Sequence, residues 1–332
     1  MTSITLIGSI TGNNGVSRYC SNLSQNMAGS NYREFFKKEV VHGGKKWGGY
    51  ISSVLYQPFY KINSDIIHTL TTVNFYYRAN VTTIHDLYFK NNSYAIKTRV
   101  FLEPAIIKWK LGRLKIIVPS EVVLRQFQKL YGSTKNVYVV PHGIDFNYID
   151  SLNLSNPFKT KNNIVIPGGV DGKVSSRRNQ RILLDALKHY NYNVYVVGYG
   201  FMDMLEREYR GYNNLHFIKN PDDTLFYSYL KYSDLNLYNT IGEGFGYIIY
   251  ESLYLGKKVL INYNPDNMLL FNHYADYYSY GYGEYNSDNL INSIDYYMGR
   301  QYNMADQLLK HYSIKSMVDN TLNVYGGVYG GH

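Results

Sequence analysis

Short runs of apolar residues alternate along the chain with longer stretches in which apolar positions recur every three or four residues. Runs at residues 4–7, 65–68, 81–84, 116–118 and 137–140 have the length of strands, and stretches at 17–27 and 120–131 carry the period of one helix face. Strand alternating with helix predicts crossover units and a largely parallel sheet. The alternation then pauses. Residues 151–163, after Pro141 and Gly143, are rich in Asn, Ser, Lys and Pro and predict a linker. Beyond it the pattern restarts, with strands expected at 164–166, 194–197, 215–218, 234–238 and 258–261 and helices at 179–189, 202–210, 224–232 and 247–255. Two α/β halves of similar size predict two Rossmann-like domains facing a central cleft, at residues 1–155 and 156–310. Residues 311–332 are expected as a C-terminal helix and a tail that frays from Tyr325-Gly326-Gly327 onward. Ligands of such sheets bind at the carboxyl ends of the strands.

Composition narrows the class. The 332 residues suit two domains at roughly 150 residues each, and 45% hydrophobic against 18% charged residues excludes wholesale disorder. A single cysteine, Cys20, excludes an internal disulfide and a four-cysteine zinc site, and reads as a small buried apolar residue. No apolar run nears the roughly 18 residues of a membrane span, and residues 1–10 read as a strand rather than a secretory signal, so a cytoplasmic protein is expected. The 38 tyrosines, many in polar runs such as 274–285, read as half-exposed amphipathic filler.

The net charge of +9 is uneven. Residues 1–160 carry 19 Lys+Arg and 8 Asp+Glu, whereas residues 161–332 carry 15 and 17. The basic first half suits an anionic partner or a solubilising surface. Lys97, Arg99, Lys108, Lys110, Arg113 and Lys115, interleaved with apolar residues and Trp109, suit peripheral contact with an anionic membrane, although Pro104 interrupts the run. No nucleic-acid-binding motif accompanies the charge, so a nucleic-acid partner is disfavoured.

The segment richest in chemistry is Glu243-Gly244-Phe245-Gly246-Tyr247-Ile248-Ile249-Tyr250-Glu251, which follows a predicted strand and opens a predicted helix. Gly244 and Gly246 let the backbone approach a ligand, and the N–H groups of a helix start favour phosphate. Glu243 precedes the helix and Glu251 lies about a turn and a half inside it, so the two can touch different parts of one extended ligand. By spacing alone the pair is equally a solvated helix face. No Asp-x-Asp and no metal-ligand spacing occur, Gly198-Tyr199-Gly200 lacks the third glycine of a dinucleotide fingerprint, and nothing marks a P-loop.

In context, Glu243 to Glu251 resembles the E-x7-E signature of the retaining family 4 glycosyltransferases, and the resemblance continues in order along nearly the whole chain. Gly12-Asn13-Asn14-Gly15-Val16-Ser17-Arg18-Tyr19 is similar to the family's N-terminal glycine loop, and Thr83-Ile84-His85-Asp86-Leu87 to its "IHDL". Val118-Pro119-Ser120 and Val139-Val140-Pro141-His142-Gly143-Ile144-Asp145 resemble its serine segment and the "NGVD" turn. Arg177-Arg178-Asn179 stands at its "RKN" element, and Lys219-Asn220-Pro221-Asp222 through Asp234-Leu235 resembles a further conserved stretch. Departures are Arg178 in place of lysine, an altered loop at 168–176, Thr240-Ile241-Gly242 before the signature and His142 where asparagine is common.

The resemblance implies an α/β protein of the GT-B fold that moves a hexose, with retention, from a UDP- or GDP-linked glucose- or mannose-class donor to a glycan, lipid-linked or other acceptor. It implies Glu243 on the transferred sugar, Glu251 on the ribose and His85 on the sugar's other face. Arg178, helped by Lys173 or Arg177, the glycine loop at Gly12 and Gly15, and the Gly244, Phe245 and Gly246 backbone would meet the diphosphate. Asp86 and Ser120 fall in matched segments and are carried as substrate contacts. The donor is a co-substrate, and no cofactor or metal is expected. The competing readings are a hydrolase or phosphorylase of the same fold, a catalytically silent sugar-nucleotide-binding GT-B protein and a nucleic-acid-directed glycosyltransferase.

Overall fold

The structure is a computed structural model that describes the chain except residues 1, 9–13, 34–39, 43–44, 48–60, 72–77, 88–112, 133–134, 170–177, 280–286, 302 and 330–332. Gly12, Lys173, Arg177 and most of the basic stretch at 97–115 therefore lie outside the described residues. The chain divides into two compact units, Met1–Asp145 with His311–His332, and Phe146–Lys310.

In the first unit the strands are β1 (Ile4–Ile7), β2 (Ser30–Arg33), β3 (Val40–His42), β4 (Lys45–Trp47), β5 (Ile66–Thr69), β6 (Val81–Thr83), β7 (Lys115–Val118) and β8 (Val137–Val139). Six of them form one sheet in the order β2-β1-β5-β6-β7-β8, every pair parallel, while β3 and β4 pair antiparallel. Strands β1, β5 and β6 are buried at every position, as parallel strands covered on both faces must be. Helix Gly15–Asn26 starts where Asn14 accepts from the Ser17 N–H, and helix Glu121–Tyr131 where Ser120 accepts from the Val123 N–H. Cys20 is buried in this core beside Leu6, Tyr19 and Leu70.

The C-terminal segment closes this unit. Helix Ile314–Tyr329 runs on through Gly326 and Gly327 instead of fraying at Tyr325. Met317, Val324 and Tyr325 enter the core with Ile4, Tyr19 and Leu23, and that burial outweighs the glycine pair's weak helix preference. Lys115, expected in the membrane-facing stripe, belongs to β7 and donates from Nζ to the Val324 carbonyl at 3.0 Å.

The second unit holds β9 (Asn163–Pro167), β10 (Asn193–Gly198), β11 (Leu215–Lys219), β12 (Leu235–Tyr238), β13 (Val259–Asn262) and β14 (Asp276–Tyr278). Their order is β11-β10-β9-β12-β13-β14, all parallel, the arrangement of a dinucleotide-binding sheet. The 151–163 stretch is tied to this unit rather than hanging between two domains. Phe158 packs on Tyr195 and Tyr229 with ring centroids 4.9 and 5.2 Å away, and the Ser155 N–H donates to Ser228 Oγ. Among the tyrosines, Tyr278 is core rather than filler: it is 1% exposed and its hydroxyl donates to the Tyr238 carbonyl.

Candidate functional site

In the second unit the strand order reverses between β9 and β12, so their carboxyl ends diverge and leave a crevice. A pocket sits there, lined by Ile166 and Pro167 of β9, Tyr238 of β12, the loop residues Asn239, Thr240 and Glu243, and Arg178, Gln180, Gly246, Ile248 and Ile249. Two sequence candidates of opposite charge meet in it. Arg178 Nε and Nη2 both reach Glu243 Oε1 at 3.1 Å. The arginine side chain is 30% exposed and the glutamate 10%, so the pair faces the opening.

Two glycines make the crevice possible. A Cβ on Gly198, at the end of β10, would stand 1.9 Å from the Gly168 carbonyl oxygen, so only glycine allows the backbones to approach there. Gly246 has φ +85°, in the left-handed region, and a Cβ on it would lie 2.6 Å from Phe271 Cζ. It precedes helix Tyr247–Tyr254, whose positive end is thereby set at the pocket.

The loop that presents Glu243 is clamped by asparagines that the sequence reading did not single out. Asn262 accepts the Thr240 N–H at 2.8 Å, and Asn264 and Asn267 both donate to the Thr240 carbonyl, at 3.1 and 3.2 Å. Asn264 also caps helix Pro265–Phe271 ahead of Pro265. An asparagine directly before a proline that opens a helix was a legible cap; its second bond, to the glutamate loop, was not. Glu251 is fully buried, accepts the Tyr227 hydroxyl at 3.1 Å and is absent from the pocket wall. Tyr238 bonds Ser252 Oγ at 2.7 Å, and burial raises its hydroxyl pKa.

In the first unit the candidates are brought into a different setting. Gly15 opens its helix and is exposed, whereas the buried Ser120 spends its hydroxyl on capping. Asp86 is half-buried beside His85. His85, just past the end of β6, holds Nε2 2.8 Å from the Leu70 carbonyl and Nδ1 3.1 Å from His142 Nε2. The Tyr19 ring packs against both imidazoles, with centroids 5.0 and 4.6 Å away. Deeper in, fully buried His68 bonds the Tyr325 hydroxyl at 2.6 Å and Thr83 Oγ1 at 2.8 Å, and the Tyr19 hydroxyl is 2.9 Å from the same Thr83 oxygen. Burial, reinforced by nearby His85, pushes His68 down to about 3 and His142 well below the ordinary histidine value. Among the described residues no cluster of three His, Cys, Asp or Glu side chains could hold a metal ion, and no helix is long and apolar enough to cross a membrane.

No protein-family model and no curated protein sequence matches the chain. Solved structures do. HepE from Anabaena, crystallised in complex with UDP and glucose, is similar with a TM-score of 0.70 over 98% of this chain and 100% of its own, at 16% identity. Sucrose-phosphate synthase from Thermosynechococcus elongatus gives 0.71 over 100% of both chains at 15% identity. WaaG, a glycosyltransferase involved in lipopolysaccharide biosynthesis, gives 0.62 over 96% of this chain and 94% of its own at 14% identity. At such identities the likeness establishes the fold, and the fold is the expected α/β GT-B architecture.

Proposed function

We propose that the protein is a retaining glycosyltransferase that takes a hexose from a nucleoside-diphosphate sugar and passes it to a glycan or lipid-linked acceptor. The observation that carries this reading is the Arg178–Glu243 pair at the mouth of the switch-point pocket, beside a helix start. A leaving diphosphate needs its developing charge met, and a guanidinium with a helix dipole meets it without reorganising. On donor binding, Arg178 exchanges Glu243 for phosphate oxygens, and the released carboxylate turns to the hydroxyls of the hexose. The role of Glu251 at the ribose rests on the resemblance; the geometry supports Glu243 and Arg178. HepE, crystallised with UDP-glucose, makes a UDP-linked hexose the first donor to try.

The test is a thermal-shift panel of UDP-, GDP- and ADP-sugars, followed by initial-rate kinetics with the donor that binds. A ligand that binds only the folded state raises its melting temperature. Glu243→Ala is expected to lower turnover more than affinity, and Glu251→Ala to weaken donor binding. Wild-type turnover in Glu243→Ala, or no shift with any sugar nucleotide, would overturn the reading. Turnover is expected to survive EDTA, since cationic side chains and the helix start do the work of a divalent ion. Loss of turnover restored by manganese or magnesium would contradict that part.

A further inference from the structure

We propose that His142 is a positioning residue for His85, holding that imidazole at a fixed angle and in one tautomer for the sugar contact that the family resemblance implies for it. The second clause rests on the glycosyltransferase reading; the first stands on geometry alone. A carbonyl oxygen only accepts, so His85 Nε2, 2.8 Å from the Leu70 carbonyl, carries a hydrogen. In neutral His85 the Nδ1 is then an acceptor, and the ring 3.1 Å away, His142 Nε2, must be its donor. The two bonds grip opposite edges of one ring. Leu70 alone would set the tautomer but let the ring swing on its Cβ–Cγ bond; the second bond removes that freedom.

His142 suits the task because it is itself held. It is 4% exposed, its ring lies 4.6 Å from Tyr19 at 37°, and Tyr19 is anchored through its hydroxyl to Thr83 of β6. It precedes Gly143, whose N–H lies 3.0 Å from the Met317 sulfur and whose carbonyl accepts from Asn22 at 3.0 Å, so the backbone beneath it is fixed as well. Three places in the described fold hold His85: Leu70 just past β5, His142 in the turn after β8 and Tyr19 of helix Gly15–Asn26. Burial disfavours a charge on His142, so it offers a hydrogen without bringing a positive charge beside His85.

The experiment pairs His142→Leu, which fills the space without a donor, with His142→Gln, whose amide nitrogen falls near the position of the imidazole Nε2. Nitrogen-15 NMR of histidine-labelled protein at pH 8 reads His85 directly. In wild type the spectrum should show His85 protonated at Nε2 with a hydrogen-bonded Nδ1; in His142→Leu the Nδ1 signal should move to that of an unbonded acceptor, and in His142→Gln it should return. Turnover with the bound donor should fall at least tenfold in His142→Leu with donor KM within twofold, and recover to within threefold of wild type in His142→Gln. Wild-type His85 protonated at Nδ1, or full turnover in a folded His142→Leu, would overturn the proposal. If His142→Leu does not fold, the wild-type spectrum and the glutamine variant decide it. A wild-type protein with no transfer activity but the expected NMR shifts would sink the enzyme reading and leave the positioning bond standing.

Discussion

Each unit buries a polar cluster near the carboxyl edge of its sheet, and the two clusters are opposite in kind. In the second unit the groups are ionised, an arginine and a glutamate at an open pocket, with asparagines clamping the loop behind them. In the first unit they are neutral: His68, Thr83, Tyr19 and Tyr325 form a chain of hydrogen bonds with no water-facing member, and only His85 of the neighbouring pair is half-buried. The Arg178–Glu243 pair stays where water or a ligand can reach it, because burying an unpaired ion is costly. Neutral donors and acceptors can go inside once each is matched, and there they specify packing. The same sheet edge therefore carries an open, charged pocket in one unit and a closed, cohesive network in the other.

The largest expected effect tests the neutral cluster. His68 and His142 are held neutral in the folded protein, whereas the unfolded chain takes up protons near the ordinary value of about 6.5. Below that pH the unfolded state binds more protons, so stability falls as pH falls; above it their contribution is full. Each histidine adds a slope of about 1.4 kcal/mol per pH unit, continuing for His68 down to about pH 3. Denaturant melts at pH 7.5, 5.5 and 4.5 should show a steep loss that begins in the first unit, followed by hydrogen exchange of β5 and β6 amides. Equal stability at the three pH values would break the comparison.

Next comes a lesion confined to the second unit. Gly246→Ala puts a Cβ on a left-handed backbone and against Phe271, with an expected cost of about 3 kcal/mol from strain and overpacking. Circular dichroism with hydrogen exchange should show early loss of β12 and β13 while β5 and β6 keep their protection. Arg178→Leu should act on ligand more than on fold. We expect nucleotide affinity to drop about 10- to 100-fold by titration calorimetry, the worth of a charged hydrogen bond of roughly 1.5–3 kcal/mol, and the salt dependence of binding to flatten. The smallest effect belongs to Lys315 and Asp319, an exposed pair one turn apart on the C-terminal helix. Asp319→Asn should change stability by no more than about 0.5 kcal/mol, showing that this surface ion pair is not what holds the first unit together.

The predicted strands at 4–7, 81–84, 116–118, 164–166 and 194–197 all lie within a residue or so of observed ones, because parallel strands inside a sheet covered on both faces are largely apolar runs. Strands β2 and β14 escaped for the converse reason: Ser30-Asn31-Tyr32-Arg33 and Asp276-Tyr277-Tyr278 are edge strands with little apolar content. Glu243 and Arg178 were singled out by the family resemblance of two separate segments, each just ahead of a helix, where spacing alone left them ordinary surface residues. The asparagine clamp and His68 were not, because a buried Asn or His looks the same in sequence as an exposed one until its partners, far along the chain, are known. His68 and Tyr325 are 257 residues apart.

That distance bears on how the protein is made. The second unit is one unbroken stretch, Phe146–Lys310, while the first needs both Met1–Asp145 and His311–His332. During synthesis the N-terminal sheet emerges first but waits, with the face meant for Met317, Val324 and Tyr325 uncovered, until the last helix has left the ribosome. The half translated first is the half completed last. Until then its apolar face is a target for chaperones or for a neighbouring nascent chain.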